Sequence, residues 1–197
     1  MKKIPTLFKR EFENHNVVRT LPEVTEGFEW VLNGDGEATL KWDGSCCAII
    51  DGKFYKRYDA KKGKKPPEGA IPCCEPDAVT GHWPHWVEVD ENNPADKWFV
   101  EAFNNLRPVC RKNATYEAIG IHFQGNPYHL TKDILIRHGD DLLLDCPRTF
   151  EGIKDYLKDH CIEGIVFWKD GEPKCKIKRT DFGYEWPLKE REHENNL

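Results

Sequence analysis

Short apolar runs separated by polar turns cover most of this chain, and two stretches switch to a helical period. The run FEWVLN at 28–33 predicts a strand, closed by a Gly-Asp-Gly turn at 34–36. Ala48, Ile49 and Ile50 read as the core of a buried strand. With the aromatic run after Asp51-Gly52 they predict a hairpin, CCAIIDGKFYKRY. Residues 60–76 are rich in Pro, Gly and Lys and predict a long loop. Strand character returns at 82–89, 115–123, 133–139, 161–168 and 174–179, with a turn at Lys169-Asp170-Gly171 between the last two.

The first helical stretch is 93–105. Asn93 can cap it, Pro94 suits its first turn, and Trp98, Phe99, Ala102 and Phe103 share one face. The second is 149–160, capped by Thr149. No repeat and no separating linker interrupts this pattern. The expectation is therefore a single α+β domain over 1–197, with mostly antiparallel sheets and flanking helices.

Composition narrows the partners. Of 197 residues, 34 are acidic and 29 basic, and the net charge of −5 gives no global pull toward nucleic acid. Any nucleic-acid site has to be a local patch. No apolar run approaches the ~18 residues a membrane span needs, and the N-terminus lacks an apolar stretch of signal length. We expect a cytoplasmic protein with no membrane partner. The eight cysteines include the adjacent pairs Cys46-Cys47 and Cys73-Cys74, which bridge poorly, so reduced thiols are expected.

One stretch resists a purely structural reading. KWDG at 41–44 places a lysine directly ahead of the buried Ala48-Ile49-Ile50 strand, where a charge costs stability unless it is compensated. Three further segments follow in order: YEAIG at 116–120, EGIV at 163–166 and KIK at 176–178. Lys176 and Lys178 are two apart on a predicted strand, so both point to one face. Glu163 follows a helix-to-strand junction and offers a hard oxygen ligand. Taken singly, each residue fits a solvated surface position better than a site. A KxDG alone arises by chance in roughly a few per cent of chains this long; the ordered set does not.

This set resembles the covalent nucleotidyltransferase superfamily of ATP-dependent RNA and DNA ligases and mRNA capping enzymes. The resemblance spans residues 41–178. It implies an adenylyltransferase ligase fold with Lys41 as the nucleophile that becomes AMP-lysine. Lys176 and Lys178 would neutralise the α-phosphate, Glu163 would hold a divalent metal, and Glu117 would contact ribose or metal. Burial and nearby cations would favour the neutral amine that attack requires. An arginine or lysine on the strand after KxDG contacts the nucleotide in such enzymes. Lys56 and Arg57 both qualify, and Arg57 is chosen for its fixed donor fork. Thr39 is a weaker candidate for the base edge. Phe123, Tyr128 and His138 are open alternatives for stacking on adenine.

Only 19 residues (197 minus 178) follow Lys178, too few for the OB-fold that DNA ligases and capping enzymes carry there. The chain is thus similar to compact single-domain 5′-to-3′ RNA ligases. That implies ATP, Mg2+ or Mn2+, and RNA ends bearing a 5′-phosphate and a 3′-hydroxyl. The alternatives are a DNA nick ligase, a guanylyltransferase, or an inactive end-binding module. Lys61, Lys62, Lys64 and Lys65 could bind strand phosphates, or form only a solvated loop. Trp83 and Trp86 could stack on bases, though burial is the commoner fate of tryptophan. A zinc site from Cys73, Cys74, His82 and His85 is a lesser reading, because the spacing departs from CxxC forms.

Overall fold

The structure is a computed structural model, and it describes residues 3–14, 16–61, 63–78 and 80–188. The chain folds into two compact units. Ile4–Trp42 with Gly139–Leu197 forms one, called here the lysine unit, and Asp43–His138 with Met1–Lys3 forms the central unit.

The lysine unit opens with β1 (Phe8–Glu13) and β2 (Asn16–Val24), an antiparallel ribbon. A short helix α1 (Glu29–Leu32) and β3 (Glu37–Lys41) follow. The central unit holds β4 (Ser45–Ile50), β5 (Lys53–Ala60), β6 (Ile71–Pro72), β7 (Trp83–Glu88), α2 (Lys97–Asn105), β8 (Ala114–Ile119) and β9 (Ile134–Arg137). The chain then returns to the lysine unit through α3 (Phe150–Asp159), β10 (Gly164–Lys169) and β11 (Glu172–Lys178). The architecture is α+β with antiparallel sheets, as the sequence pattern predicts. No helix among the described residues is long and apolar enough to cross a membrane.

Local chemistry accounts for most element ends. Asp51 and Gly52 both take positive φ, 49° and 76°, the backbone that a tight two-residue hairpin needs. Asn93 Oδ1 accepts from the Ala95 amide at 3.0 Å, and Thr149 Oγ1 accepts from Gly152 at 3.1 Å. These are the predicted helix caps. The strand predicted at 28–33 is instead the helix α1. Short apolar runs fit either period, and here Phe28 donates to the Thr25 carbonyl, closing a turn that starts the helix. The β1–β2 ribbon carries no alternating apolar signal, since most of its positions are exposed.

Each unit has its own core. In the lysine unit, α3 lays Ile153 and Leu157 against Ala38, Ile165, Phe167, Cys175 and Ile177 of the sheet β11-β10-β3. In the central unit the sheet runs β6-β7-β5-β4-β8-β9. Its residues Cys47, Ile49, Phe54, Tyr116, Ala118 and Leu135 pack with Ala102 of α2, alongside Trp98, Phe99 and Phe103.

All eight cysteines are free. Two core thiols of the lysine unit carry a pH signature. Burial pushes Cys146 up to about 11 and Cys175 up to about 12, from an ordinary 9.0. Unfolded, both would ionise near 9, while the native state keeps its protons until pH 11–12. The native state binds more protons in that window, so stability is full below pH 9 and falls as pH rises. We predict a loss of about 1.4 kcal/mol per thiol on going from neutral pH to about pH 10. Urea midpoints in reducing buffer check this. A Cys146→Ala/Cys175→Ala double variant with unchanged alkaline sensitivity would assign the effect to other groups.

Candidate functional site

The predicted lysines meet on one sheet. In β11-β10-β3, Gly164 pairs with Lys41 on one side and with Lys178 on the other. Val166 pairs likewise with Thr39 and Lys176. Two straight rows result, Lys41–Gly164–Lys178 and Thr39–Val166–Lys176. Residues two apart share a face, so all three lysines point to the same side. The intervening residues Leu40, Ile165 and Ile177 point the other way, toward the core; Ile165 and Ile177 are fully buried there. Adjacent strands lie ~4.8 Å apart, which sets Lys41 and Lys178 roughly 9.5 Å apart across the row. Gly164 leaves the space between them free of side chain. A Cβ there would lie 2.3 Å from the Ile177 carbonyl oxygen.

Lys41 answers its burial problem with a partner. Its Nζ donates to Glu163 Oε2 at 2.5 Å, and Glu163 is only 8% exposed. The carboxylate's opposite charge offsets the cost of placing a lysine in this partly buried position. The compensation anticipated from the sequence lay with the other lysines; the structure adds an acid in direct contact.

Glu163 is fixed in turn by Arg179, which sequence reasoning missed. The Arg179 amide donates to the Glu163 carbonyl at 2.8 Å. Its buried guanidinium donates to the carbonyls of Leu157, Lys158 and His160, and its Nε to Glu185. The first three carbonyls lie at the C-terminal end of α3, where orphan acceptors and the helix dipole favour a cation. One buried arginine therefore ties the end of α3 to the start of β10, where Glu163 sits.

Thr39 is 1% exposed. Its hydroxyl donates to the Val166 carbonyl at 3.2 Å and accepts from the Trp168 indole N–H at 3.0 Å. Both roles of that hydroxyl are filled by protein groups.

The remaining predicted residues lie in the central unit. In the ladder, Cys47 pairs with Lys56, and Arg57 with Trp86, so Lys56 and Arg57 face opposite sides. Lys56 pairs with buried Asp96 at the start of α2. Arg57 lies on the other face and bonds Asp59 at 2.8 Å. The register thus separates the two candidates and leaves Arg57 on the face that carries Glu117. Glu117 pairs with Cys46 across β4–β8. Its Oε2 accepts from His138 Nε2 at 2.9 Å, and His138 Nδ1 lies 2.9 Å from Thr115 Oγ1. Burial first, then the Glu117 charge, pushes the Cys46 thiol up to about 12.

Among the stacking candidates, Phe123 is buried under α2 with its ring edge-on to Phe99 at 5.2 Å. Tyr128 accepts at its hydroxyl from the Asp43 amide at 2.6 Å. His138 shares the Glu117 face. Trp86 is buried against Ala48 and Tyr55, as expected for a packing residue. Trp83 donates to the Cys74 carbonyl at 2.6 Å. Lys61, Lys64 and Lys65 are exposed, and Lys62 lies outside the described residues. Cys73, Cys74, His82 and His85 do not converge into a donor cluster among the described residues. His85 Nδ1 is turned instead to the Trp83 carbonyl at 2.9 Å.

Compared with models of known protein families and with curated proteins, the chain matches none.

The rows depend on Gly164. We predict that Gly164→Ala costs roughly 1–3 kcal/mol, because the new methyl meets backbone that cannot rotate aside. Denaturation midpoints measure this. Wild-type stability would show that β11 can shift and that the row is not rigid.

Proposed function

We propose that the chain is an ATP-dependent RNA ligase, acting in the cytoplasm as one nucleotidyltransferase domain over 1–197. The observation that carries the reading is the row Lys41–Gly164–Lys178, with Lys176 on the same face and Glu163 against Lys41. The ordered motifs of the sequence predict such a convergence, and a solvated strand face does not.

In this reading the Lys41 amine attacks the α-phosphorus of ATP. A nitrogen–phosphorus bond forms, pyrophosphate leaves, and Lys41 gives up the proton now directed at Glu163. Lys176 and Lys178 neutralise charge on the transferred phosphate. AMP then passes to the 5′-phosphate of an RNA strand, and a 3′-hydroxyl attacks that phosphate and expels AMP. Glu163 fits a divalent ion, because its nearly buried carboxylate already lies against a cation. Such a hard carboxylate suits Mg2+ or Mn2+. The ion would supply further neutralisation of phosphate charge.

Intact-mass measurement after incubation with ATP and magnesium tests the reading. We expect the added mass of one AMP in the wild type and none in Lys41→Arg, which keeps a cation against Glu163 but removes the amine. Lys41→Ala should also lose the adduct and, in addition, roughly 1–3 kcal/mol of stability, since it strands a mostly buried carboxylate. An adduct persisting in Lys41→Arg would place the nucleophile elsewhere. An adduct from GTP alone would make the protein a guanylyltransferase, and sealing of nicked DNA but not RNA would make it a DNA ligase.

A further inference from the structure

Cys46 and His138 flank Glu117 in a cluster whose thiol and imidazole the adenylyl-transfer reading leaves unused. A thiol, a carboxylate oxygen and an imidazole nitrogen lie within 4.8 Å of one another, all half-buried. Three strands deliver them. Cys46 of β4 and Glu117 of β8 are direct cross-strand partners. His138 follows β9 and anchors beside Thr115, its amide donating to the Thr115 carbonyl at 3.1 Å. A rigid sheet thus holds donors that are 21 to 92 positions apart in sequence (138 minus 117 and 138 minus 46).

We propose that these three side chains bind a borderline-soft divalent ion of the zinc class. Three protein ligands leave a fourth, open position for water or another ligand.

Several features point to a soft ion and not to magnesium. Magnesium demands oxygen donors in octahedral geometry, and thiol and imidazole suit zinc. Bonds of ~2.0–2.3 Å in a tetrahedron set donor separations of roughly 3.3–3.8 Å. The donors already stand close to that. The Glu117–His138 contact, 2.9 Å here, has to open by only about half an ångström. The imidazole is also oriented as a ligand needs to be. With Nδ1 held by Thr115 Oγ1, Nε2 is the nitrogen that faces the other two donors. An outer hydrogen bond of this kind fixes the tautomer of a metal-binding histidine. On binding, the Cys46 thiol and His138 Nε2 each release a proton to solvent, while Nδ1 takes one up and donates to Thr115. Thiolate, carboxylate and neutral imidazole then balance a 2+ ion as two negative charges, so the three-residue site goes from one negative charge to none.

The inference stands on donor geometry and does not need the ligase reading. Its test therefore reads binding, not activity. The full-length protein in reducing buffer is loaded with Zn2+ or with Co2+ as a spectroscopic probe, then desalted. We expect one retained equivalent, and with Co2+ a thiolate charge-transfer band in the near ultraviolet. Cys46→Ser and His138→Ala should lose both. Thr115→Val, close in shape and outside the ligand set, should weaken binding about 10–100-fold. A Cys73→Ala/Cys74→Ala variant should bind like the wild type. Circular dichroism confirms that each variant is folded; should His138→Ala fail to fold, Cys46→Ser and Thr115→Val carry the test. No retained metal in the wild type, or retention unchanged in Cys46→Ser, would overturn the proposal.

Discussion

The chemistry assigned to the lysine unit depends on the register between β10 and its two neighbours. Gly164 is the centre of that register, because it pairs with Lys41 on one strand and with Lys178 on the other. A one-residue slip of either strand would turn its lysines toward the core and send Leu40 or Ile177 outward. The buried face forbids this, with Ile165, Phe167, Cys175 and Ile177 all fully buried. The hydrophobic core of the unit therefore does more than stabilise it. By penalising every other register, the core sets the positions of three cations on the opposite face.

The central sheet obeys the same logic with different residues. Adjacent cysteines in β4 meet opposite fates because successive strand residues face opposite sides. Cys47 is buried with Ile49 and Tyr116 beneath α2, and burial holds its thiol well above its ordinary range. Cys46 emerges on the face of Arg57, Glu117 and His138. Lys56 and Arg57 separate in the same way, one into a buried ion pair with Asp96 and the other onto the polar face. A two-residue alternation divides structural from chemical roles without any change in residue class.

This explains what could be read from the chain before its structure was known. The hairpin at Asp51-Gly52 and the caps at Asn93 and Thr149 are local devices, and each reads from a few consecutive residues. The KxDG, EGIV and KxK segments were legible as an ordered set, and their shared face follows from strand period. The helix α1 was not, because four residues carry too little periodicity to separate helix from strand. The β1–β2 ribbon was missed because its strands expose most positions and show no alternation. Arg179 and the Cys46–Glu117–His138 cluster are a different kind of omission. Their partners are brought near by the register of distant strands and by the end of a helix about twenty residues away, and no local pattern encodes that.

Burial of charge does not by itself locate the site. Asp96, Asp133, Arg179 and Asp181 are as buried as Glu163, yet each has an evident structural task. Asp96 accepts from the Asp90 amide and pairs with Lys56. Asp133 accepts from both the amide and the ring of His122. Asp181 accepts from the Lys178 amide, and Arg179 closes the end of α3. The Lys41–Glu163 pair differs in its surroundings. It lies on a sheet face with two further half-buried lysines, Lys176 and Lys178. Like charges held together are a standing cost. Nothing in the core requires them on this face, since an apolar or neutral residue would satisfy the same register. An anionic group beside them offsets that cost directly.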